Sequence, residues 1–450
     1  MDVRLTREQV LALAPDASSS KAAGGLATDG KWGLLGSDDE AVWGECQGSG
    51  AKPYQAQVDL AALVSRCSCP SRKFPCKHGL ALLLLYAQGN PRFAPLPQAR
   101  PAWVEEWLRG RRERAARQAP AGEGAAATPA VAPEVAAAAV AKREATRWGR
   151  ITQGCAELER WIADQFRHGL ANLGADHRDE ARRMAARMVD AQAPALAGLL
   201  QGAMEAEARG IAGLPDMGER LGLVQLLNHA VQRRASLSPT RVADLRAALG
   251  WPLDKDEVIA GGQTLTDRWQ VLGQCITELP GRLSERRVWL HGLESGQPAL
   301  LQEFAHGGRG WERIWPGNQV LAATLHFFPG SVPLRALAPS ATPLADVRAA
   351  APTDGLHAID QASIPFAVNP WLPQVPLRLA KARVHVADGA WQVHTDAGAL
   401  PLHVDADNGW SLMAFGGGHA LCVMGEWDGR ALLPLSAWND HGHYWERSAA

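Results

Sequence analysis

The stretch Cys67-Ser68-Cys69-Pro70-Ser71-Arg72-Lys73-Phe74-Pro75-Cys76-Lys77-His78 places three cysteines and one histidine within twelve residues. No other part of the chain concentrates reactive side chains in this way. Three thiolates and one imidazole complete the shell of a four-coordinate zinc ion and leave no position open for water. We therefore predict one structural Zn²⁺, bound by Cys67, Cys69, Cys76 and His78.

The spacing of these residues indicates how the chain brings them together. Tyr54–Leu60 alternates in polarity and predicts a strand. If the extended course resumes near Ser65, the first two cysteines point the same way, because side chains two apart share one face of a strand. Prolines then turn the chain, and the apolar run at 79–86 predicts a buried helix. The ligands would thus come from a strand end and a helix start, in a small ββα-type zinc module.

Other interpretations of the cluster are buried thiols beside a surface histidine, a disulfide with spare residues, or a redox or nucleophilic site. The two cysteines of Cys-x-Cys do not pair easily with each other, and a completed zinc shell quenches thiolate reactivity.

Three thiolates leave the zinc site with one net negative charge. Four neighbouring cations can offset this charge: Arg66, Arg72, Lys73 and Lys77.

The pattern Cys-x-Cys-x6-Cys-x-His resembles the SWIM zinc finger, and the likeness extends through Trp43–Tyr54. The resemblance covers roughly residues 20–95. This part of the chain is similar to the N-terminal part of bacterial SWIM zinc finger family proteins of about this size. The resemblance implies zinc binding and contact with DNA or protein, and it supplies no enzymatic reaction. It also implies an association with MoxR-like AAA ATPases and von Willebrand A domain proteins.

Composition limits the class of protein. A chain of 450 residues is long enough for about two or three domains. Lys and Arg number 46 against 47 Asp and Glu, so no overall basic excess marks a nucleic-acid binder. No apolar run reaches the length of a membrane span, and the N-terminus lacks the pattern of a secretory signal. Thiolate ligands suit a reducing compartment, so we expect a cytoplasmic protein without membrane contact.

The expected fold is a multi-domain α+β arrangement. The finger core spans about 54–90, and Ala102–Gln118 predicts a helix whose end is basic from Arg109 to Arg117. Residues 119–138 are rich in Ala, Pro and Gly, which predicts a flexible linker. The predicted parts are a zinc module at 1–100, a basic helix at 101–118, the linker at 119–138, a central helical bundle at 139–252, and a Trp-rich antiparallel β domain at 253–450, with one strand placed at Trp410–Phe415.

The remaining motifs do not indicate a nucleotide-binding site, a catalytic site or a second metal site. Gly25–Lys31 fits G-x-x-x-x-G-K, but Trp32 follows where a phosphate loop needs Ser or Thr, so we predict a turn and no nucleotide. Neither G-x-S-x-G nor H-E-x-x-H occurs in the chain. His385, His394 and His403, and the pair His441 and His443, lack a carboxylate or cysteine partner at metal spacing.

These observations favour a zinc-binding, non-enzymatic interaction protein, an adaptor that contacts other proteins. Residues 251–450 carry 14 basic against 20 acidic side chains and would repel a phosphate backbone. The first alternative is nucleic-acid binding by the basic surface around the zinc and the basic helix. The second is an enzyme with its site in the C-terminal domain, and the third is a purely structural scaffold subunit. The residues expected to carry recognition are Lys52, Arg72, Lys73, Phe74 and Lys77.

Overall fold

The computed structural model describes residues 5–14, 17–48, 52–60, 63–71, 73–93, 100–118, 133–169, 175–279, 281, 283–306, 311, 313–344, 355–387 and 389–448. Its helices are α1 (Arg7–Ala12), α2 (Ala17–Leu26), α3 (Lys77–Ala87), α4 (Ala102–Gln118), α5 (Pro133–His168), α6 (Ala175–Asp190), α7 (Pro194–Glu207), α8 (Leu214–Gln232), α9 (Pro239–Ala248), α10 (Lys255–Gly261), α11 (Gly355–Val368) and α12 (Ala406–Gly416). Its strands are β1 (Trp32–Ser37), β2 (Ala41–Cys46), β3 (Tyr54–Asp59), β4 (Val64–Cys67), β5 (Gln263–Leu279), β6 (Leu283–Gly292), β7 (Pro298–His306), β8 (Val320–Phe327), β9 (Arg335–Leu337), β10 (Thr342–Leu344), β11 (Val375–Ala387), β12 (Ala390–Thr395), β13 (Gly398–Pro401), β14 (Leu421–Trp427), β15 (Leu432–Trp438) and β16 (Tyr444–Glu446). The predicted mixed α+β class is confirmed.

The N-terminal module is a four-stranded antiparallel sheet, β1-β2-β3-β4, covered by helices. The apolar run after His78 forms α3, which is buried along most of its length and supplies the centre of the module's core. The segment Gly25–Lys31 runs from the end of α2 through a short 3-10 turn into β1. A phosphate loop has the reverse order, strand before and helix after.

Helix α4 packs against this module. Val104, Trp107 and Leu108 form a buried cluster with Trp43 and Val64. Two arginines of its basic half are held by acidic residues of the module: Arg111 pairs with Asp59, and Arg112 pairs with Glu40. The basic helix is therefore part of the module's surface, and two of its cations are already neutralised.

The central bundle consists of α5–α9 around one apolar core, which includes Ile151, Leu158, Met188, Leu200 and Val224. The methionines at 184, 188 and 217 are buried core residues, as their apolar periodicity suggests. Helix α5 begins at Pro133, so residues 133–138 of the predicted linker are helical. Proline is tolerated in the first turn of a helix, and the alanines that follow favour it. Residues 119–132 of that linker lie outside the described residues.

The first part of the C-terminal region is a small barrel. Strands β5, β6 and β7 follow one another as antiparallel neighbours, and β8 returns to lie beside β5. This spatial order is a Greek key. The short strand β9 pairs in parallel with β7 and antiparallel with β8, which closes the ring, and β10 extends it at the outer edge of β8. Apolar side chains including Trp269, Val288 and Leu325 fill the interior.

The second part is a six-stranded antiparallel sheet, β13-β12-β11-β14-β15-β16. The strand predicted over Trp410–Phe415 is wrong, because these residues lie in helix α12. Asp405 caps the start of this helix by accepting a hydrogen bond from the N–H of Asn408 at 2.8 Å. Gly417, with φ 54°, ends it in the left-handed conformation. The capping signals at both ends therefore favour a helix here over the strand that the short apolar alternation predicts.

Polar contacts join these parts. Arg287 on β6 donates from Nε and Nη2 to the two carboxylate oxygens of Glu426 on β14, at 2.8 and 2.9 Å. The N–H of Ile314 donates to the carbonyl oxygen of Leu63 at 2.6 Å, which attaches the zinc module to the barrel. Buried Asp244 on α9 accepts the N–H of Ser331 at 2.9 Å, which ties the bundle to the barrel.

Among the described residues, no helix combines the length and the apolar character needed to cross a bilayer.

Candidate metal centre

The four predicted ligands meet at one point of the N-terminal module. Cys67 is the last residue of β4 and Cys69 follows it, while Cys76 and His78 lie at the start of α3. The strand is held in place because the N–H of Ser68 donates to the carbonyl of Gln55 at 2.9 Å and the Ser68 hydroxyl accepts the N–H of Gln55 at 2.9 Å. The strand-end and helix-start origin of the ligands follows the sequence prediction.

The helix contributes its own constraint. Cys76 is the N-cap of α3, and its Sγ accepts a hydrogen bond from the backbone N–H of Gly79 at 3.4 Å. The following turns carry buried leucines that pack in the module core. The packing of this helix in the core therefore fixes the positions of Cys76 and His78.

The imidazole of His78 is oriented by a neighbour. Its ring centroid lies 4.8 Å from that of Tyr54, and the side chain is 3% exposed. Gly48 packs directly against this tyrosine, since a Cβ there would lie 2.3 Å from Cε2 of Tyr54. Gly48 thus supports the metal centre through Tyr54.

The geometry fits a tetrahedral zinc ion. The three sulfur atoms and a ring nitrogen of His78 all lie within 4.8 Å of one another, and Sγ of Cys67 is 3.9 Å from Nδ1 of His78. Zn–S bonds of about 2.3 Å and Zn–N bonds of about 2.0 Å place neighbouring ligand atoms about 3.4–3.8 Å apart. Adjustments of about 1 Å or less complete the shell. Within the described part of the chain, no further cluster of three or more Cys, His, Asp or Glu side chains has this arrangement.

The thiols influence one another's ionisation. The hydrogen bond to Cys69 raises the pKa of Cys67, whereas hydrogen bonds from Cys67 and Cys76 lower the pKa of Cys69. Zinc binding displaces the protons of the thiols, because zinc binds the thiolate form. With all four ligands engaged, the ion has no open position for a substrate or water, so its role is structural.

The predicted recognition residues have different environments. Lys52, Lys73 and Lys77 are exposed, and Nζ of Lys73 lies 3.4 Å from the Ser18 hydroxyl. Phe74 is half-buried and packs against the module core, so it contributes to stability as well as to the surface. Arg72 lies outside the described residues.

The sequence did not reveal that this module is attached to the barrel. Val64 of β4 forms a bridge with Arg313, and Ile314 is buried in the module's own core. A cavity of about 380 Å³ remains at this junction, between Phe74 and Pro75 on one side and Gln274 and Glu446 on the other. Burial raises the pKa of Glu446 to about 8. No local sequence pattern predicts this contact, because the zinc module and the barrel lie far apart in the chain.

Two parts of the chain match known families. Residues 54–87 match the SWIM zinc finger, and residues 146–249 match the SWIM-associated four-helix bundle domain. The first match contains all four zinc ligands, and the second lies within α5–α9 and the turn that follows α9. No curated protein and no solved structure matches the chain.

Proposed function

Because this chain contains a SWIM zinc finger and a SWIM-associated four-helix bundle domain, we propose that it is a zinc-binding, non-enzymatic adaptor that contacts another protein. Zinc holds the N-terminal module in shape, and the β-rich region supplies the contact surface. The reducing environment that its thiolate ligands favour is the cytoplasm. Partners of the class implied by the family resemblance are a MoxR-like AAA ATPase and von Willebrand A domain proteins.

The observation that carries this proposal is an exposed aromatic patch. Trp410 on α12 is 59% exposed and meets Trp391 edge to face, with ring centroids 5.0 Å apart. Val386, which pairs with Trp391 across β11 and β12, is also exposed. Tryptophan at the centre of an apolar patch is enriched among the residues that dominate protein–protein binding energy.

Charge also favours a protein partner over nucleic acid. Arg111 and Arg112 of the basic helix are paired with Asp59 and Glu40. The C-terminal region that holds the aromatic patch carries more acidic than basic residues, 20 against 14. Nucleic-acid affinity comes mainly from uncompensated cations along the phosphate backbone.

The experiment uses the full chain as bait with co-expressed candidate partners. Trp410→Ser removes the exposed ring and should weaken capture by about 30-fold or more, the effect of losing a residue that dominates an interface. Ile211→Ser is the matched control, since Ile211 is 88% exposed on the bundle. Equal capture by both variants and the wild type would overturn the role of this patch. Absence of any captured protein would overturn the adaptor proposal.

Exposed Lys52, Lys73 and Lys77 beside the zinc keep nucleic-acid binding as the second candidate. It is tested with mixed DNA and RNA at low salt, using the wild type and a variant with all three lysines changed to Gln. Our proposal expects no binding by either protein. Wild-type binding that falls steeply with salt, and that the triple variant loses, would favour the alternative instead.

A further inference from the structure

The barrel has the architecture of a known ligand-binding fold. A five-stranded Greek-key barrel is the framework of OB-folds, which bind ligands on the face of their second and third strands and in the loop between the fourth and fifth. Here these are β6, β7 and residues 328–334 between β8 and β9. This comparison rests on topology alone, so it points to a place and not to a ligand.

A cavity of about 1000 Å³ lies at that place. Its barrel side is formed by Trp289 of β6, Leu300 of β7 and the 328–334 loop, and α9 with Trp251 covers it from the bundle. Trp371, which packs against the bundle core, completes the wall. Ligand pockets commonly measure about 300–1,000 Å³ and are lined by apolar and aromatic side chains with a few polar groups.

Some polar side chains that line the cavity already have hydrogen-bond or ion-pair partners, and others do not. Glu285 is held by Arg287 and Gln302, and Asp244 is held by Ser331, so the acidic side chains already have partners. Arg335, at the rim, has its guanidinium carbon 4.1 Å from the centroid of the Phe328 ring. Within the described residues, no carboxylate lies within ion-pair distance of it. The Nε1 of Trp371 is buried and lacks an acceptor among the described residues. Arg335 is therefore a cation at the rim that remains for an anionic ligand.

We propose that this cavity between the barrel and the bundle binds a flat aromatic molecule carrying one anionic group. The ring lies among the tryptophans of the wall, and Arg335 pairs with the anion at the rim. Two kinds of molecule have this chemistry, a mononucleotide and an aromatic carboxylate. Because the wall comes from both the barrel and the bundle, the ligand would also stabilise their contact.

The test is calorimetric titration of the full-length protein with two matched pairs of probes: AMP with adenosine, and 2-naphthoate with 2-naphthol. We expect one anionic probe to bind at least 10-fold more tightly than its neutral partner, because a charge-assisted hydrogen bond is retained only for the anion. Preference for AMP identifies the nucleotide source, and preference for 2-naphthoate identifies the carboxylate source.

Three variants separate the site from adventitious binding. Arg335→Gln should remove the difference between anionic and neutral probes, and Ala243→Trp, on α9, should place an indole ring in the cavity and weaken binding of both. Arg383→Gln, an exposed arginine of β11, is the matched control and should behave as wild type. The proposal is overturned if neither anion binds the wild type, or if Arg335→Gln and Arg383→Gln give the same affinities. The Arg335 comparison decides the matter even if Ala243→Trp fails to fold.

Discussion

The backbone N–H of Gly79 donates a hydrogen bond to Sγ of Cys76 at 3.4 Å, so a single thiol is both a metal ligand and the N-cap of α3. A hydroxyl is also an effective N-cap acceptor, but it is a poor zinc ligand beside thiolates. The two roles can therefore be separated by one substitution.

Cys76→Ser keeps the cap and removes the ligand. We expect the variant to lose its zinc and the N-terminal module to unfold, since structural zinc supplies on the order of 10 kcal/mol of folding free energy in small fingers. Metal analysis should find one zinc per wild-type chain, and hydrogen exchange should show loss of protection in β1–β4 and α3. The control is Cys46→Ala, a buried cysteine of the same module that is not a ligand and should retain zinc. One full zinc per chain in Cys76→Ser would contradict the assignment.

Gly48→Ala should weaken zinc binding although Gly48 touches no ligand. The new Cβ would lie 2.3 Å from Cε2 of Tyr54 and would displace the ring that packs on His78. Changes around metal ligands typically cost about 10–100-fold in affinity, so competition with a chelator should show a loss of about 10-fold. Gly33→Ala is the matched control, because nothing lies within 4 Å of a Cβ there. Equal affinities of the two variants would show that the Tyr54 contact does not position His78.

Glu426→Gln should destabilise the contact between the barrel and the C-terminal sheet. The Glu426 carboxylate is 4% exposed and accepts hydrogen bonds from Arg287 and from Nε1 of Trp289, the latter at 2.8 Å. Removing one partner of a buried ion pair costs about 3–5 kcal/mol, because the other charge stays buried. Denaturant unfolding should show this loss, whereas Glu294→Gln, in the exposed pair with Arg268, should cost less than about 1 kcal/mol. A similar small effect at both positions would refute a structural role for the buried pair.

Glu446 should make stability fall as pH rises. Burial raises its pKa to about 8 in the folded protein, above the ordinary 4.5. Between these two values the folded state binds more protons than the unfolded state, so stability is greatest near the lower pH and decreases by up to about 1.4 kcal/mol per pH unit towards pH 8. Unfolding free energies measured from pH 5 to 8 should show a flatter profile in Glu446→Gln. Exposed Glu278→Gln should keep the wild-type slope, and a wild-type slope in Glu446→Gln would disprove the raised pKa.

Local signals predicted much of the fold and the whole metal shell. The ligands Cys67, Cys69, Cys76 and His78 are close in sequence, and the strand end and helix start that position them follow from alternation, prolines and an apolar run. The helical bundle predicted at 139–252 depends on local signals in the same way, since the apolar residues of α5 from Trp148 to Ile162 recur at helical spacing and are buried together. At Trp410–Phe415 the local signals conflicted, and the cap at Asp405 prevailed over the alternation.

The sequence by itself thus determined the zinc site, the bundle helices and the α+β class, because each depends on residues a few positions apart. Only the tertiary structure decided which distant surfaces meet. Arg287 and Glu426 are 139 positions apart, and Ile314 enters the core of a module more than 200 residues earlier in the chain. The closure of the barrel by three-residue β9 and the cavity beside Arg335 arise in the same way. Such contacts are selected by the joint packing of the whole chain, and no short window of residues carries that information.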